Sequence, residues 1–376
     1  MSGAQLSFDD HPAIVLDSGS GTCRAGLAGD ETPSSLFPSI VGRRKFLLES
    51  IDEAYVGTDA QQRRELLHLS YPIEHGIVVN WEDMEKIWDH TFFSDLKLSP
   101  EEHPILTSEP PLNPKGNREK TAQVLFETYK TPAAFVALQP MLAKHATGLH
   151  QGLMLSVGDG CLHCVPIFMG QVQFQAIRRI DFAGRDLTLY LQRLLFRRGY
   201  SFTTNAELDI VRDMKEQLCF VVDSDSADMS IASLKQTYTL PDGSTVKLDH
   251  ERYLCSELLF KPDGEFHTGK GLVDLIVDSV NDCNVEARKD MYHMISLSGG
   301  TTLLPGFKER LRKELRALPP KKYPGMNIWN APERQFHVWI GGSITASLRS
   351  MEHAWVSRQD YDEYGPHIVN IRCYGE

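Results

Sequence analysis

No apolar run in this sequence of 376 residues approaches the ~18 residues that a membrane-crossing helix requires. The segment from Met1 to His11 is polar and acidic, without the charged start and apolar core of a secretion signal. Positive charge is also in short supply. The formal net charge is −11 and the pI is near 5.7, which argues against a general binder of nucleic acid or acidic membrane, since either needs a basic face. Two short basic runs, Arg43-Arg44-Lys45 and Pro320-Lys321-Lys322, read as solvated surface. Cysteine is sparse: seven residues, odd in number and scattered, unlike a disulfide framework. Cys161-Leu162-His163-Cys164 is a lone CxxC with too few ligands for tetrahedral zinc, so buried free thiols are expected. Low-complexity segments and long linkers are lacking too. These absences predict a globular protein of the cytoplasm or nucleus.

What is present fits two large domains: 41% apolar and 24% charged residues over a chain too long for one small core. Two glycine hairpins stand out. Ile14-Val15-Leu16-Asp17-Ser18-Gly19-Ser20-Gly21 and Leu153-Met154-Leu155-Ser156-Val157-Gly158-Asp159-Gly160 are each an apolar run ending in a polar residue and glycines, the pattern of a buried strand feeding a tight turn. Glycine supplies positive φ and lets backbone N–H groups approach a ligand. The pair suggests a phosphate held from both sides. Ile14–Leu27 and Leu153–Gln175 read as β-meanders turning at Gly29-Asp30 and Met169-Gly170. Helical spacing follows over Trp81–Leu96, Lys115–Thr128, Gly184–Tyr200, Val211–Cys219 and Phe307–Leu318. The charged face of the last reads as solvated and ion-paired. Loops are expected at Arg43–Ala54, Asp223–Ser230, Lys261–Gly271 and Pro319–Gly325. The order hairpin, helices, hairpin, helices is an internal duplication of α/β halves, expected to pack compactly around a central cleft.

These hairpins resemble those of the actin family, and the likeness continues in order along the chain. It is carried by Leu36-Phe37-Pro38-Ser39-Ile40-Val41-Gly42-Arg43, Tyr71-Pro72-Ile73-Glu74-His75-Gly76-Ile77-Val78, Pro111-Leu112-Asn113-Pro114-Lys115 and Phe182-Ala183-Gly184-Arg185-Asp186-Leu187-Thr188. Arg198-Gly199-Tyr200-Ser201-Phe202-Thr203-Thr204, Leu297-Ser298-Gly299-Gly300-Thr301-Thr302, Val338-Trp339-Ile340-Gly341-Gly342-Ser343-Ile344 and Tyr361-Asp362-Glu363-Tyr364-Gly365-Pro366 continue it. The resemblance implies an actin-like ATPase fold: two duplicated α/β domains in four subdomains around a central nucleotide cleft. Subdomain 1 would take 1–38, 72–146 and 337–376; subdomain 2, 39–71; subdomain 3, 147–182 and 268–336; subdomain 4, 183–267. It also implies ATP or ADP with Mg2+ or Ca2+, and other actin-family subunits or actin-binding proteins as partners. No nucleic acid would be bound directly, and a cytoplasmic, cytoskeletal location follows, with the nucleus as an alternative.

Residue by residue, the resemblance implies that Ser18, Gly19, Ser20, Gly21 and Thr22, with Val157, Gly158, Asp159 and Gly160, hold the phosphates through backbone N–H groups, and that Arg24 faces them. Lys215 and Glu216 would hold the adenosine; taken alone they read as a surface ion pair. Gly184, Gly299, Gly300, Thr301, Leu304 and Gln335 would complete the nucleotide pocket. Asp17 would bind the cation through water, Gln139 would orient the attacking water, Asp159 would face the metal, and His75 would lie near the phosphates. The family pattern expects an aspartate where Ser156 stands, and a hydroxyl brings no charge to a hydrated cation. Arg24 replaces a lysine, Ser18 an amide and Gln335 a lysine. Slow or absent ATP hydrolysis is therefore expected, with binding retained.

Filament contacts look altered as well. The loop Arg44–Ala54 is short for the family, the segment Phe260–Lys270 keeps one strongly apolar residue after Pro262, namely Phe266, and His145, His150, Thr345 and Ala354 change the groove that actin-binding proteins use. A subunit of a complex or short filament is expected, with a conventional polymerising actin as the alternative. A sugar kinase or chaperone ATPase shares the duplicated architecture. Yet no catalytic base with a sugar pocket is evident for the former, and no added substrate domain for the latter.

Overall fold

A computed structural model describes residues 11–45, 54–223, 235–266, 269–318 and 325–373. The chain divides into two compact units, Met1–His150 with Phe336–Glu376, and Gln151–Gln335.

In the first unit, Ile14–Ser18 pairs antiparallel with Thr22–Leu27 and parallel with Ile105–Glu109. The latter pairs parallel with Ala133–Leu138, and Ser35–Pro38 borders Thr22–Leu27. Ile14, Val15 and Leu16 are fully buried. A strand covered on both faces reads as a continuous apolar run, and each such side chain contributes roughly 1.5–3 kcal/mol by burial. Trp339, on the helix His337–Ala346, is buried and donates its indole N–H to the Val15 carbonyl, 3.1 Å. That helix crosses Gln139–Thr147 so closely that a Cβ at Gly341 would lie 1.7 Å from the Leu142 carbonyl oxygen, which explains a glycine inside a helix.

The second unit repeats the plan. Gly152–Val157 pairs antiparallel with Leu162–Phe168 and parallel with Met294–Ser298, which pairs parallel with Asn327–Trp329. The strand Gln171–Val172 borders Leu162–Phe168, and the turn between them has positive φ at both Met169 and Gly170, as a two-residue hairpin requires. Helices Gly184–Arg197, Leu272–Asp282 and Phe307–Ala317 contribute Leu187, Leu191, Leu195, Ile276 and Leu311 to one core with Leu153 and Leu155. Every described cysteine is a free thiol, and all but Cys373 are buried.

Several sequence expectations need revision. Trp81–Leu96 is α-helical only over Trp81–Asp89 and widens to a π-helical turn over His90–Leu96. There Thr91 turns its hydroxyl back onto the Ile87 carbonyl, a side-chain bond that competes with the regular helix. Lys115–Thr128 changes in the same way after Gln123. The helix expected over Val211–Cys219 is longer, Asn205–Leu218, and starts at a capping box in which Thr204 and Glu207 exchange bonds.

Two residues of the charged stretches are tied into the fold, although Arg44 and Lys45 are exposed as expected. Arg43 lies in a strand, and its guanidinium makes a two-pronged contact with the buried Asp83, one prong at 3.2 Å. Burial pushes the Asp83 carboxyl up, but hydrogen bonds from Arg43 and Ser70 outweigh it and hold the group below its usual range. Arg310, on the charged helix Phe307–Ala317, is 1% exposed. It reaches both oxygens of Glu257 at 2.9 and 2.7 Å and lies over the Phe260 ring. The fixed fork of a guanidinium makes such burial tolerable. Pro320-Lys321-Lys322, the loop Pro319–Gly325 except Gly325, and most of the loops Arg43–Ala54 and Asp223–Ser230 lie outside the described residues.

Candidate functional site

The two glycine hairpins have one geometry. The Gly19 N–H donates to the Thr22 carbonyl at 3.0 Å and the Gly158 N–H to the Cys161 carbonyl at 3.1 Å. Ser20-Gly21 and Asp159-Gly160 are therefore the corner residues. This revises two expectations. Gly19 and Gly158 spend their N–H groups on closing their own turns, so they are poor phosphate donors. None of Gly19, Gly21, Gly158 and Gly160 has positive φ, so conformation does not demand glycine at these positions, although a Cβ at Gly19 would lie a tight 3.2 Å from the Thr22 carbonyl oxygen.

In the first unit the structure links four polar side chains. Arg24 Nη1 lies 3.0 Å from Asp17 Oδ2, Ser108 Oγ donates to Asp17 Oδ1 at 2.7 Å, and Gln139 Nε2 reaches Ser108 Oγ at 3.4 Å. Asp17 is buried, Arg24 lies over the Phe336 ring, and the buried Arg24 Nε has no acceptor among the described residues. Ser108, missed in the sequence, ends the strand Ile105–Glu109 beside the first hairpin; alternation along a buried strand could have hinted at it, but its partner could not be read. Ser20 Oγ accepts the Gly76 N–H at 2.8 Å, which brings the turn at His75 (φ 48°) to the hairpin corner. Ser18 points inward instead: its Oγ accepts the Trp88 indole N–H at 3.3 Å. Thr22 pairs within its strand with Pro38.

In the second unit, Gly158 is the hub. Its carbonyl accepts the Thr301 hydroxyl at 2.6 Å and the Gly184 N–H at 3.1 Å, while the Asp159 carbonyl accepts the Arg185 N–H at 2.8 Å. The first amides of the helix Gly184–Arg197 are thus taken by the hairpin. Arg185 also pairs with the Asp159 carboxylate at 3.2 Å, a contact the sequence did not reveal. Lys215 is buried, and its ammonium donates to the Gly184 carbonyl at 2.6 Å and to Thr188 Oγ1 at 2.9 Å. It is therefore no surface ion pair with Glu216, which is exposed and lies near Arg212. Leu304 is buried and its N–H donates to the Thr301 carbonyl at 3.3 Å, while Gln335 is half-buried.

Gly299 and Gly300 differ. Gly299 has φ +86°, and a Cβ there would sit 2.3 Å from the Val157 carbonyl oxygen; at Gly300 a Cβ would meet nothing within 4 Å. The first glycine is demanded by the protein's own packing, and the second is not. Ser156 is buried in its strand, in register with His163 on one side and Ser298 on the other. His163 is also buried; burial first, and then Arg179, push its imidazole down to about 3.

The sequence matches the family model described as Actin over residues 8–374. The chain belongs to the actin family. Its mixed α/β fold is that of this family, and no helix among the described residues is long and apolar enough to cross a membrane.

Each unit has a feature of its own that suits an anionic, phosphate-bearing ligand. Arg24 keeps a buried N–H without an acceptor, and Gly300 leaves room for close approach. For a divalent cation the donor set is leaner. Asp17 and Asp159 are each paired with an arginine, and Ser156 adds no charge. Either carboxylate, taken in its own unit, suits a hydrated ion held largely by phosphate oxygens, which is a common way of holding magnesium.

Proposed function

We propose that this actin-family chain binds ATP or ADP with Mg2+ or Ca2+ and hydrolyses ATP slowly or not at all, acting as a subunit of a complex or short filament. The observation that carries this reading is Ser156: it ends a buried strand beside the second hairpin, where the family pattern calls for a carboxylate. The corner residues Ser20, Gly21, Asp159 and Gly160 approach the phosphates, Arg24 offers them its free N–H, and Gly300 gives clearance. Lys215 positions Gly184 through its carbonyl, and Glu216 and Gln335 act at the adenosine end of the ligand. A bound cation neutralises phosphate charge. Asp17 would accept hydrogen bonds from that ion's waters, and Gln139, held by Ser108, would orient an attacking water. With a hydroxyl at position 156, no second carboxylate polarises that water, and loss of one preorganised electrostatic group costs on the order of 10²–10³ in rate.

The expected partners are actin-family subunits or actin-binding proteins, in the cytoplasm and its cytoskeleton or in the nucleus. Two observations favour a limited assembly. Phe266, the one strongly apolar residue of its loop after Pro262, packs against Tyr190 of its own unit with ring centroids 5.1 Å apart, so it adds little to a neighbour; His267 and Thr268 lie outside the described residues. In the altered groove, His145 Nδ1 donates to Thr345 Oγ1 at 2.7 Å, and that hydroxyl donates to the Gly341 carbonyl, giving a polar floor.

The test is displacement of a fluorescent ATP analogue together with phosphate release followed for hours. Tight binding with little release is expected. Release as fast as that of conventional actin, or no binding, overturns the proposal.

A further inference from the structure

We propose that His11, Glu102 and His103 form a binding site for a zinc-like divalent cation. One ligand atom from each of the three lies within 4.8 Å of the others. His11 precedes the strand Ile14–Ser18, and Glu102 and His103 precede Ile105–Glu109; the two segments are joined by the Ile14 N–H donating to the Pro104 carbonyl at 2.8 Å. The site thus sits on paired backbone at one end of the first unit's sheet.

His103 is built as a metal ligand. Its ring is buried, with Nδ1 2.8 Å from the Pro12 carbonyl oxygen. A carbonyl only accepts, so Nδ1 carries the proton and the neutral ring keeps its lone pair on Nε2. A ligating histidine is commonly oriented by such an outer hydrogen bond. Thr131 fixes the His103 backbone, its hydroxyl donating to the His103 carbonyl at 2.8 Å. His11 meets His103 edge-on, centroids 5.4 Å apart and planes at 88°. Glu102 has no ion-pair partner among the described residues, so its carboxylate is uncommitted.

Two imidazoles and one carboxylate are a set that suits zinc, with a fourth position left for water. Imidazole donors disfavour magnesium and calcium, which take oxygen. Bonds of about 2.0–2.1 Å at tetrahedral angles put ligand atoms roughly 3.4 Å apart. His11 and Glu102 are exposed, so their side chains can close the remaining distance without moving the backbone.

The probe is ZnCl2 titrated calorimetrically into the full chain with Mg-nucleotide present, with Co2+ absorption reporting coordination. One equivalent is expected in the wild type. In His11→Ala and Glu102→Gln, affinity should fall by more than the ~10–100-fold that loss of an outer-shell partner costs. Zinc should also raise the melting temperature of the wild type and not of His11→Ala. Both variants change exposed side chains and should melt like the wild type without zinc. No zinc uptake by the wild type, or equal uptake by His11→Ala, overturns the site. Neither result bears on the nucleotide.

Discussion

Acidification should destabilise the second unit through His163. Its ring is buried in the strand Leu162–Phe168, its Nδ1 has no partner among the described residues, and Arg179 faces it from the neighbouring strand. Burial and that positive neighbour push its folded-state pKa from 6.5 down to about 3. The unfolded chain takes up a proton as the pH falls through 6.5, whereas the native site stays neutral until about 3. The stability present above pH 6.5 is therefore lost progressively below it. One pH unit corresponds to about 1.4 kcal/mol, so descent from pH 7.5 to pH 5 should remove about 2 kcal/mol through this residue. His145, lowered by burial and by His150, adds loss of the same sign in the first unit. The contribution of His163 is isolated by comparing wild type with His163→Leu in urea unfolding at several pH values, with amide exchange in Leu162–Phe168 as the local probe. The variant should lose about 2 kcal/mol less than the wild type over that range. Identical pH dependence in the two proteins would refute the assignment of a buried neutral imidazole.

Ser156→Asp should raise phosphate release by about 10²-fold or more with little change in nucleotide affinity, read in single-turnover assays; an unchanged rate removes Ser156 as the cause of slow hydrolysis. Gly299→Ala should cost more than about 2 kcal/mol of stability, from positive φ and collision with the Val157 carbonyl. Gly300→Ala should melt like wild type yet bind nucleotide more weakly, because its Cβ enters space the protein leaves open; unaltered binding would show that the ligand does not approach there. Lys215→Met should cost about 1–3 kcal/mol in thermal unfolding by removing two buried charge-assisted hydrogen bonds, to the Gly184 carbonyl and to Thr188 Oγ1. Pelleting with Mg-ATP and salt should yield little sedimented protein, and long filaments by electron microscopy would favour a conventional actin instead.

Much of the fold was legible because buried parallel strands write themselves as apolar runs. Ile14–Leu16 and Leu153–Leu155 announce the two equivalent central strands, and the glycines that follow announce the turns. Even the start of Asn205–Leu218 is written in Thr204 and Glu207, a spacing the sequence offers and the reading passed over. The misreadings share a cause. Arg310 and Lys215 are charged, and charge alone predicts exposure; each is withdrawn from water onto a partner distant in sequence, namely Glu257 and the Gly184 carbonyl, while the half-exposed Arg43 is tied to the buried Asp83.

The same holds for the glycine hairpins. Sequence by itself determined their existence, their duplication and the family, because each is a matter of residue type and local order. Only the tertiary structure decided that Arg24 and Arg185 neutralise the two hairpin carboxylates, that Ser108 joins Asp17 to Gln139, and that Gly299 serves packing while Gly300 does not. Those are contacts between segments far apart along the chain, and distance in space is set by folding rather than by spacing.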